Sequence, residues 1–261
     1  MTPGKNPFKL CLSLILAGLL VVGAVFAFFP GLDLHISEHF YDAATRSFPL
    51  AIDPTVVRLR NLNRAVDMLF GVGLLLAVVV KFMRPELPLM FSGRAMLFLS
   101  LTYALGPGLL ANVVFKEHWS RPRPVQVTQF NGPSPFVPWS DPTGACRRNC
   151  SFFSGEVSAA AWTMAPALLA PSPYRAAAFA AALVFTAVNA FVRISAGGHF
   201  FSDAAFAVLA TSLVVWFMYG AIYRGWWRSA TDEIIEARMT RFAYAVRRLW
   251  RKATGASQLN G

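Results

Sequence analysis

Residues 10–29 read LCLSLILAGLLVVGAVFAFF, a run that contains no charged side chain. A helix of about 20 apolar residues spans the hydrocarbon core of a lipid bilayer. The run therefore predicts a membrane-spanning helix near the start of the chain. It is longer than the apolar region of a cleaved signal peptide, which has about 7–15 residues, so we expect it to be retained as an anchor.

Further apolar runs follow at residues 66–80, 95–115, 157–170, 176–192 and 204–223. Charged residues make up 14% of the chain, well below the roughly one quarter that is usual in soluble domains. These runs predict an all-α integral membrane protein, a six-helix bundle over residues 1–225 with short helices in its periplasmic loops. A basic tail, residues 226–261, follows the bundle.

Basic residues indicate which side of the bundle faces the cytoplasm, because lysine and arginine are retained on that side. In a six-span chain Lys9, Lys81, Arg94, Arg175 and the basic tail all lie at the same side. We therefore predict a bacterial inner-membrane protein with both termini in the cytoplasm and the long loops 30–65 and 117–154 in the periplasm. The net charge of +11 is then explained by basic residues at the cytoplasmic side of the membrane, and nucleic acid is not an expected partner.

The tail carries apolar residues at helical spacing, including Ile235, Met239, Phe242 and Val246, with arginines mostly off that stripe. This pattern is typical of an amphipathic helix that lies on the inner leaflet. A solvated helix that packs against another subunit is the alternative, and the sequence specifies no oligomeric state.

Cys146 and Cys150 lie four residues apart in the second long loop. The periplasm is oxidising, so this pair is a candidate disulfide, and two reduced thiols are the alternative. A zinc site is not expected, because no second pair of cysteine or histidine residues stands nearby.

Three polar clusters occur where apolar runs end at the predicted periplasmic face. They read KEHWSRPRP at residues 116–124, SFFSGE at 151–156 and RISAGGHFFSD at 193–203. Arginine, lysine, a serine hydroxyl and glycine backbone N–H groups together suit a phosphate group. His199 can attack phosphorus through one ring nitrogen, and Asp203, one helical turn later, can orient the ring through the other. No metal or other cofactor is implied, because no cluster of carboxylates or histidines accompanies these residues.

The spacings Lys116-x6-Arg123-Pro124 and Arg193-x5-His199-x3-Asp203 resemble the first and third motifs of the type 2 phosphatidic acid phosphatase (PAP2) superfamily. The resemblance implies a metal-independent phosphatase with a phosphohistidine intermediate. It also implies a nucleophile at His199 that is supported by Asp203. By the same resemblance, a phosphate site is formed by residues of all three motifs: Lys116, Arg123, Ser154, Gly155 and Arg193.

The second motif departs from the family pattern Pro-Ser-Gly-His, in which the histidine protonates the leaving group. Here Glu156 follows Ser154 and Gly155, so the identity of the acid is open. Glu156 itself is the first candidate, and His118 in the first motif is the second. A leaving group that needs little protonation, such as the phosphate of a diphosphate, is a third possibility.

The expected substrate is a phosphorylated lipid in the outer leaflet of the bilayer. The chain is similar to bacterial PAP2 proteins of the lipid A phosphatase kind, which favours the 1- or 4′-phosphate of lipid A. Undecaprenyl diphosphate and phosphatidylglycerol phosphate are alternative substrates. A transporter or a non-catalytic lipid-binding protein is the alternative from another functional class. The charged residues gather at one membrane face and do not form a series across the bilayer, which favours an enzyme.

Overall fold

The computed structural model describes residues 7–89, 92–225, 229 and 231–253, and within these residues the regular structure is helical. In that part of the chain, five helices are long and apolar enough to cross a membrane. The all-α prediction is thereby confirmed, with five helices of this kind where the sequence predicted six spans. The five helices are Pro7–Phe28, Pro54–Met83, Gly93–His118, Ser172–Ser195 and Phe201–Arg224.

The elements are numbered in chain order. They are α1 (Pro7–Phe28), α2 (Gly31–Glu38), α3 (Pro54–Met83), α4 (Gly93–Tyr103), a π-helical segment (Ala104–Phe115), α5 (Lys116–His118), α6 (Gly155–Trp162), α7 (Met164–Leu169), α8 (Ser172–Ser195), α9 (Phe201–Tyr219) with a final π-turn (Gly220–Arg224), and α10 (Asp232–Ala253). The loops add short 3-10 turns at Pro49–Ala51, Pro124–Gln126 and Thr128–Phe130.

The predicted span at residues 157–170 is divided into two short helices, α6 and α7. Thr163 at the break donates its hydroxyl to the carbonyl of Ala160 at 2.6 Å. Pro166 has no N–H, so the carbonyl of Trp162 loses its helical partner. α6 is nevertheless the most enclosed helix of the bundle and packs against both α8 and α9.

The second span begins earlier than the prediction at residue 66, because α3 begins at Pro54. The carboxylate of Asp53 accepts the backbone N–H groups of Thr55 and Val56 at 2.9 and 3.0 Å and so caps the helix. Arginines that the sequence placed in a periplasmic loop, Arg60 among them, therefore lie on the first turns of α3.

Pro107 interrupts the third span. It cannot donate a backbone hydrogen bond, and the helix adopts π geometry from Ala104 to Phe115. The side chain of Asn112 donates to the carbonyl of Pro107 at 2.7 Å, across the wide turn. This segment leads directly into Lys116 and so sets the position of the first polar cluster.

At the end of the bundle opposite to the polar clusters, the ends of α1, α3 and α9 and the helix α10 form further contacts. Trp216, late in α9, donates its indole N–H to the carbonyl of Phe8 at 3.0 Å. α10 contacts the end of α3 through a 3.0 Å ion pair between Lys81 and Glu236. Of the predicted tail, residues 226–228, 230 and 254–261 lie outside the described residues.

Candidate active site

His199 lies in the short connection between α8 and α9 and is 2% exposed. Its Nδ1 is 2.7 Å from the backbone carbonyl oxygen of Ser151. A carbonyl can only accept a hydrogen bond, so Nδ1 carries the proton. The neutral ring then holds its lone pair at Nε2, which is the tautomer that a nucleophile requires.

Burial also favours the neutral ring. It lowers the pKa of His199 to about 4, and the nearby guanidinium of Arg193 acts in the same direction, against the opposing effect of Asp203. Near neutral pH His199 is therefore uncharged and able to share the Nε2 lone pair.

Asp203 lies behind the ring and acts on it through the protein backbone. Its Oδ2 is 3.8 Å from Nδ1 of His199, which is an electrostatic contact but too long for a hydrogen bond. The same oxygen accepts the hydroxyl of Ser151 and, at 2.9 Å, the backbone N–H of Phe200. Asp203 thus fixes the two segments that hold the imidazole, and the carbonyl of Ser151 makes the direct hydrogen bond.

Arg121 is the principal site residue that motif spacing did not single out. It is fully buried, and its guanidinium donates to Asp203, to Asp33 at 2.8 Å and to the carbonyl of Val137 at 2.9 Å. Burial disfavours the charge of Arg121, but the two carboxylates raise its pKa, so it remains a cation. The ring of Phe200 lies 4.3 Å below the guanidinium.

Asp33 of α2 completes this buried network. Its Oδ1 accepts the backbone N–H of Ser202 at 2.9 Å, and its Oδ2 accepts the Ser202 hydroxyl. One guanidinium and two carboxylates leave a net negative charge behind His199 when both acids are ionised. That charge complements the positive ring that forms when Nε2 bonds to phosphorus.

The first two polar clusters meet at Gly155, as the motifs predict. A methyl group added at Gly155 would lie 2.8 Å from Oδ1 of Asn112 and 2.9 Å from Nζ of Lys116. The absence of a side chain therefore admits the ammonium group of Lys116 to the start of α6. Ser154 caps that helix, accepting the N–H of Val157 at 3.4 Å.

In the third cluster, Arg193 lies beneath the connection between α8 and α9 that carries His199. A methyl group at Gly198 would lie 2.4 Å from Nη2 of Arg193, so glycine is needed for this approach. Arg193 is 4% exposed, and its Nε has no hydrogen-bond partner among the described residues. The nearest anion to this N–H group is Oε2 of Glu156 at 3.6 Å, which is an ion-pair contact but too long for a hydrogen bond.

Arg123 extends from the 117–154 loop and is oriented by it. Its Nη2 donates to the carbonyl and side-chain oxygens of Asn149 at 2.9 and 3.1 Å. A disulfide between Cys146 and Cys150 closes the short turn that carries Asn149. The loop thus has a structural basis for holding a cation over the site.

The two candidate acids have different surroundings. Glu156 is the second residue of α6 and binds Arg60 and Arg193. His118 is exposed, and its Nδ1 lies 3.1 and 3.0 Å from the carbonyls of Val113 and Val114 in its own helix. The structure therefore places Glu156 among the motif residues, whereas the ring of His118 is engaged by its own helix.

Lys116, Arg123 and Arg193 thus gather at one end of the bundle, close enough to act on one another's charge, and Arg193 and Arg123 also lie near the neutral imidazole of His199. Fixed cations of this kind stabilise the charge on the equatorial oxygens of a phosphoryl group in transfer. The arrangement can bind a phosphate monoester and accept its phosphoryl group on nitrogen.

Comparison with known proteins agrees with this chemistry. Residues 95–227 match the PAP2 superfamily, and they include all three polar clusters. A lipid A 4′-phosphatase of Francisella tularensis subsp. novicida is 34% identical over 76% of this chain and 90% of its own length. Lipid A 4′-phosphatases of Rhizobium leguminosarum and Rhizobium etli are 32% and 31% identical, each over 74% of this chain and over 87% and 79% of their own lengths. No solved structure matches the chain. The match over slightly more than half of the chain and the extended likeness to these relatives establish that the protein belongs to the PAP2 superfamily.

Proposed function

We propose that this protein removes the 4′-phosphate from lipid A by way of a phosphohistidine at His199. The observation that carries the proposal is the hydrogen bond from Nδ1 of His199 to the Ser151 carbonyl, which leaves the lone pair on Nε2, in a ring whose charge is influenced by the nearby Arg193 and Arg123. Membership of the PAP2 superfamily makes the chain a phosphoric monoester hydrolase. The names of the three relatives favour lipid A as substrate and its 4′-position over its 1-position.

In the first step Nε2 of His199 attacks phosphorus, and the bond between phosphorus and the sugar oxygen breaks. Lys116, Arg123 and Arg193 bind the phosphoryl oxygens, with the hydroxyl of Ser154 and the backbone N–H of Gly155 as further donors. The ring becomes positively charged because it now carries both the Nδ1 proton and the phosphoryl group. Asp203, at 3.8 Å from Nδ1, stabilises that charge.

In the second step an oxygen from water attacks the phosphorus and displaces Nε2. Inorganic phosphate leaves, and His199 returns to its neutral form with the proton still on Nδ1. The Ser151 carbonyl holds this proton throughout the cycle, so His199 needs no change of tautomer between steps.

The proposal includes an inner-membrane location with the site facing the periplasm. The fixed Cys146–Cys150 disulfide supports an oxidising side for the loop that carries it. In this proposal α6 and α7 together form the sixth span, so the contact between α1 and the end of α9 would lie on the cytoplasmic side. Residues 1–225 would then form the phosphatase domain, and α10 within 226–261 would lie on the inner leaflet as an amphipathic helix.

Purified protein incubated with lipid A in detergent micelles, with a chelator present, tests the proposal. We expect release of phosphate and a lipid product lighter by about 80 Da, the mass of the lost phosphoryl unit. Tandem mass spectrometry should assign the loss to the distal sugar, and His199→Ala and Arg193→Ala should abolish it. Loss of phosphate from the 1-position would show that the proposed position on lipid A is wrong. Activity only on undecaprenyl diphosphate or phosphatidylglycerol phosphate would show that lipid A is not the substrate. Full activity in both variants would refute the proposed chemistry.

A further inference from the structure

Glu156 occupies the position at which the PAP2 superfamily carries its acid histidine, and it is bound by arginines from two different helices. Arg60 of α3 donates from Nε to Oε2 at 3.3 Å and from Nη2 to Oε1 at 3.0 Å. Nε of Arg193 lies 3.6 Å from the same Oε2. The carboxylate is therefore held on both oxygens, and the contact with Arg60 joins residues far apart in sequence.

These contacts oppose proton donation by Glu156. The two hydrogen bonds from Arg60 and the adjacent charge of Arg193 stabilise the ionised form of Glu156. A general acid must hold a proton near the working pH, so this carboxylate is poorly suited to that role. The leaving oxygen then needs another source of stabilisation.

Arg60 is placed to stabilise the leaving oxygen. Because Arg60 contacts the carboxylate at position 156, its guanidinium lies one hydrogen bond away from the place where the family positions its proton donor. The Arg60 side chain is 38% exposed, so a substrate can reach it. An arginine does not give up its proton, but its fixed N–H donors stabilise an oxygen anion directly.

The surrounding helix face supports an inward orientation for Arg60. Asn63 and Asp67 follow it at helical spacing on α3, and Asn63 is buried. α3 packs against α6 and α8, the helices that carry Glu156 and Arg193. Without an anion between them, Arg60 and Arg193 would repel each other, so Glu156 allows both to remain in the site.

We propose that Arg60 is a further catalytic residue, which binds the departing oxygen of the substrate, and that Glu156 is the positioning residue that holds Arg60 and Arg193 for this task. The inference rests on the proposed phosphatase function. When the phosphorus–oxygen bond breaks, its electron pair stays on the leaving oxygen, and Arg60 donates hydrogen bonds to that anion. The anion takes a proton from water, and the resulting hydroxide attacks the phosphohistidine in the second step. The sum of the steps is one monoester and one water giving one alcohol and one phosphate.

The test compares two phosphate esters that differ in how much help the leaving group needs. A simple alkyl phosphate has a poor leaving group, whereas p-nitrophenyl phosphate has a good one. We expect Arg60→Gln to lower kcat on the alkyl phosphate by about 100-fold, as for removal of one donor to a developing oxyanion. The loss on p-nitrophenyl phosphate should be less than about fivefold. The matched control is Arg58→Gln, on the exposed side of the same turn, which should leave both rates unchanged.

A second pair of variants separates positioning from acid catalysis at Glu156. The amide oxygen of Glu156→Gln still accepts from Arg60, so we expect a loss below about tenfold and an unchanged pH profile. The double variant Glu156→His/Arg60→Gln restores the family residue and should exceed Arg60→Gln in its rate on the alkyl phosphate. Thermal unfolding in detergent identifies variants that lose activity by misfolding.

Equal loss on both esters in a folded Arg60→Gln, or no loss, would overturn the role of Arg60. Selective loss in Glu156→Gln together with disappearance of the alkaline limb of the pH profile would make Glu156 the acid instead. Both esters are independent of lipid A. A wild-type enzyme that cleaves them but leaves lipid A intact would therefore contradict the proposed substrate while the comparison at Arg60 still stands.

Discussion

Arg121→Met should destabilise the protein and inactivate it, although Arg121 does not contact the face of His199 that attacks. Methionine retains the length and much of the apolar volume of arginine but none of its donors. The substitution removes the bonds to Asp33 at 2.8 Å, to Ser202 at 2.8 Å and to Asp203. Two carboxylates then remain at the start of α9 with at most 1% of their surface exposed.

The magnitude follows from these contacts. Removing one partner of a buried ion pair costs about 3–5 kcal/mol, because an uncompensated charge is left in the interior. Here one guanidinium serves two carboxylates, so we expect the upper part of that range, about 4–5 kcal/mol. Displacement of Asp203 also releases the Ser151 segment that fixes the tautomer of His199, and kcat should fall by at least about 100-fold.

The pH dependence of this loss gives an independent check. Burial raises the pKa of Asp33, and Arg121 opposes that rise, so the pKa rises further in the variant. The native state then holds a proton that the unfolded state has released above about pH 3.9, the ordinary pKa of aspartate. Stability of Arg121→Met should therefore fall as pH rises, and its deficit relative to wild type should be larger at pH 8 than at pH 5.

The assay is unfolding in detergent micelles at several pH values, with Arg147→Met as the control. Arg147 is an exposed residue of the 117–154 loop, so its substitution should change stability by less than about 0.5 kcal/mol. The combination of Asp33→Asn with Arg121→Met should cost less than the sum of the single changes. A loss in Arg121→Met no larger than that in Arg147→Met would refute the account of the buried network.

Three other results are expected. Gly155→Ala places a methyl group 2.9 Å from Nζ of Lys116. Because this should cost one charge-assisted hydrogen bond to the substrate, KM for a phosphate ester should rise about tenfold. The control Gly73→Ala, at a position with open space around it, should not change KM. Because burial lowers the pKa of His199 to about 4, nitrogen-15 NMR at pH 6 should report a neutral ring protonated at Nδ1. The His199 signals are assigned by their absence in His199→Gln, and a charged ring would contradict the assigned tautomer. Reduction of the Cys146–Cys150 disulfide should free the turn that orients Arg123 and raise KM several-fold, and the reductant should have no such effect on a variant with both cysteines changed to serine.

Motif spacing was informative where chemistry depends on residues a few positions apart. His199 and Asp203 share one segment, and the lysine, glycine and arginine of the clusters meet because the spans end at the same face. The apolar runs likewise predicted all five helices that, in the described part of the chain, are long and apolar enough to cross a membrane. Length and composition were sufficient for these features because a bilayer limits the lengths that a spanning helix can have.

Features that depend on tertiary packing did not show in the sequence. Arg121 stands in a loop two residues before Arg123, and nothing local distinguishes a buried arginine from an exposed one; its burial depends on Asp33, which is 88 residues away. Arg60 looked like a loop residue because the apolar run of α3 begins after it. The break between α6 and α7 follows from Thr163 and Pro166, whose combined effect the hydropathy of 157–170 conceals.

The central claim, attack by Nε2 of His199 on phosphorus, is tested most directly by trapping the covalent intermediate. Wild-type protein mixed with a phosphate ester and quenched in alkali within one turnover should yield a peptide containing His199 that is heavier by about 80 Da, with an acid-labile phosphoryl group on Nε2. The same peptide from a quench without substrate should be unmodified. Single-turnover hydrolysis that proceeds at full rate without any phosphorylated His199, and with inversion of configuration at phosphorus, would contradict the account, because it would indicate direct attack by water.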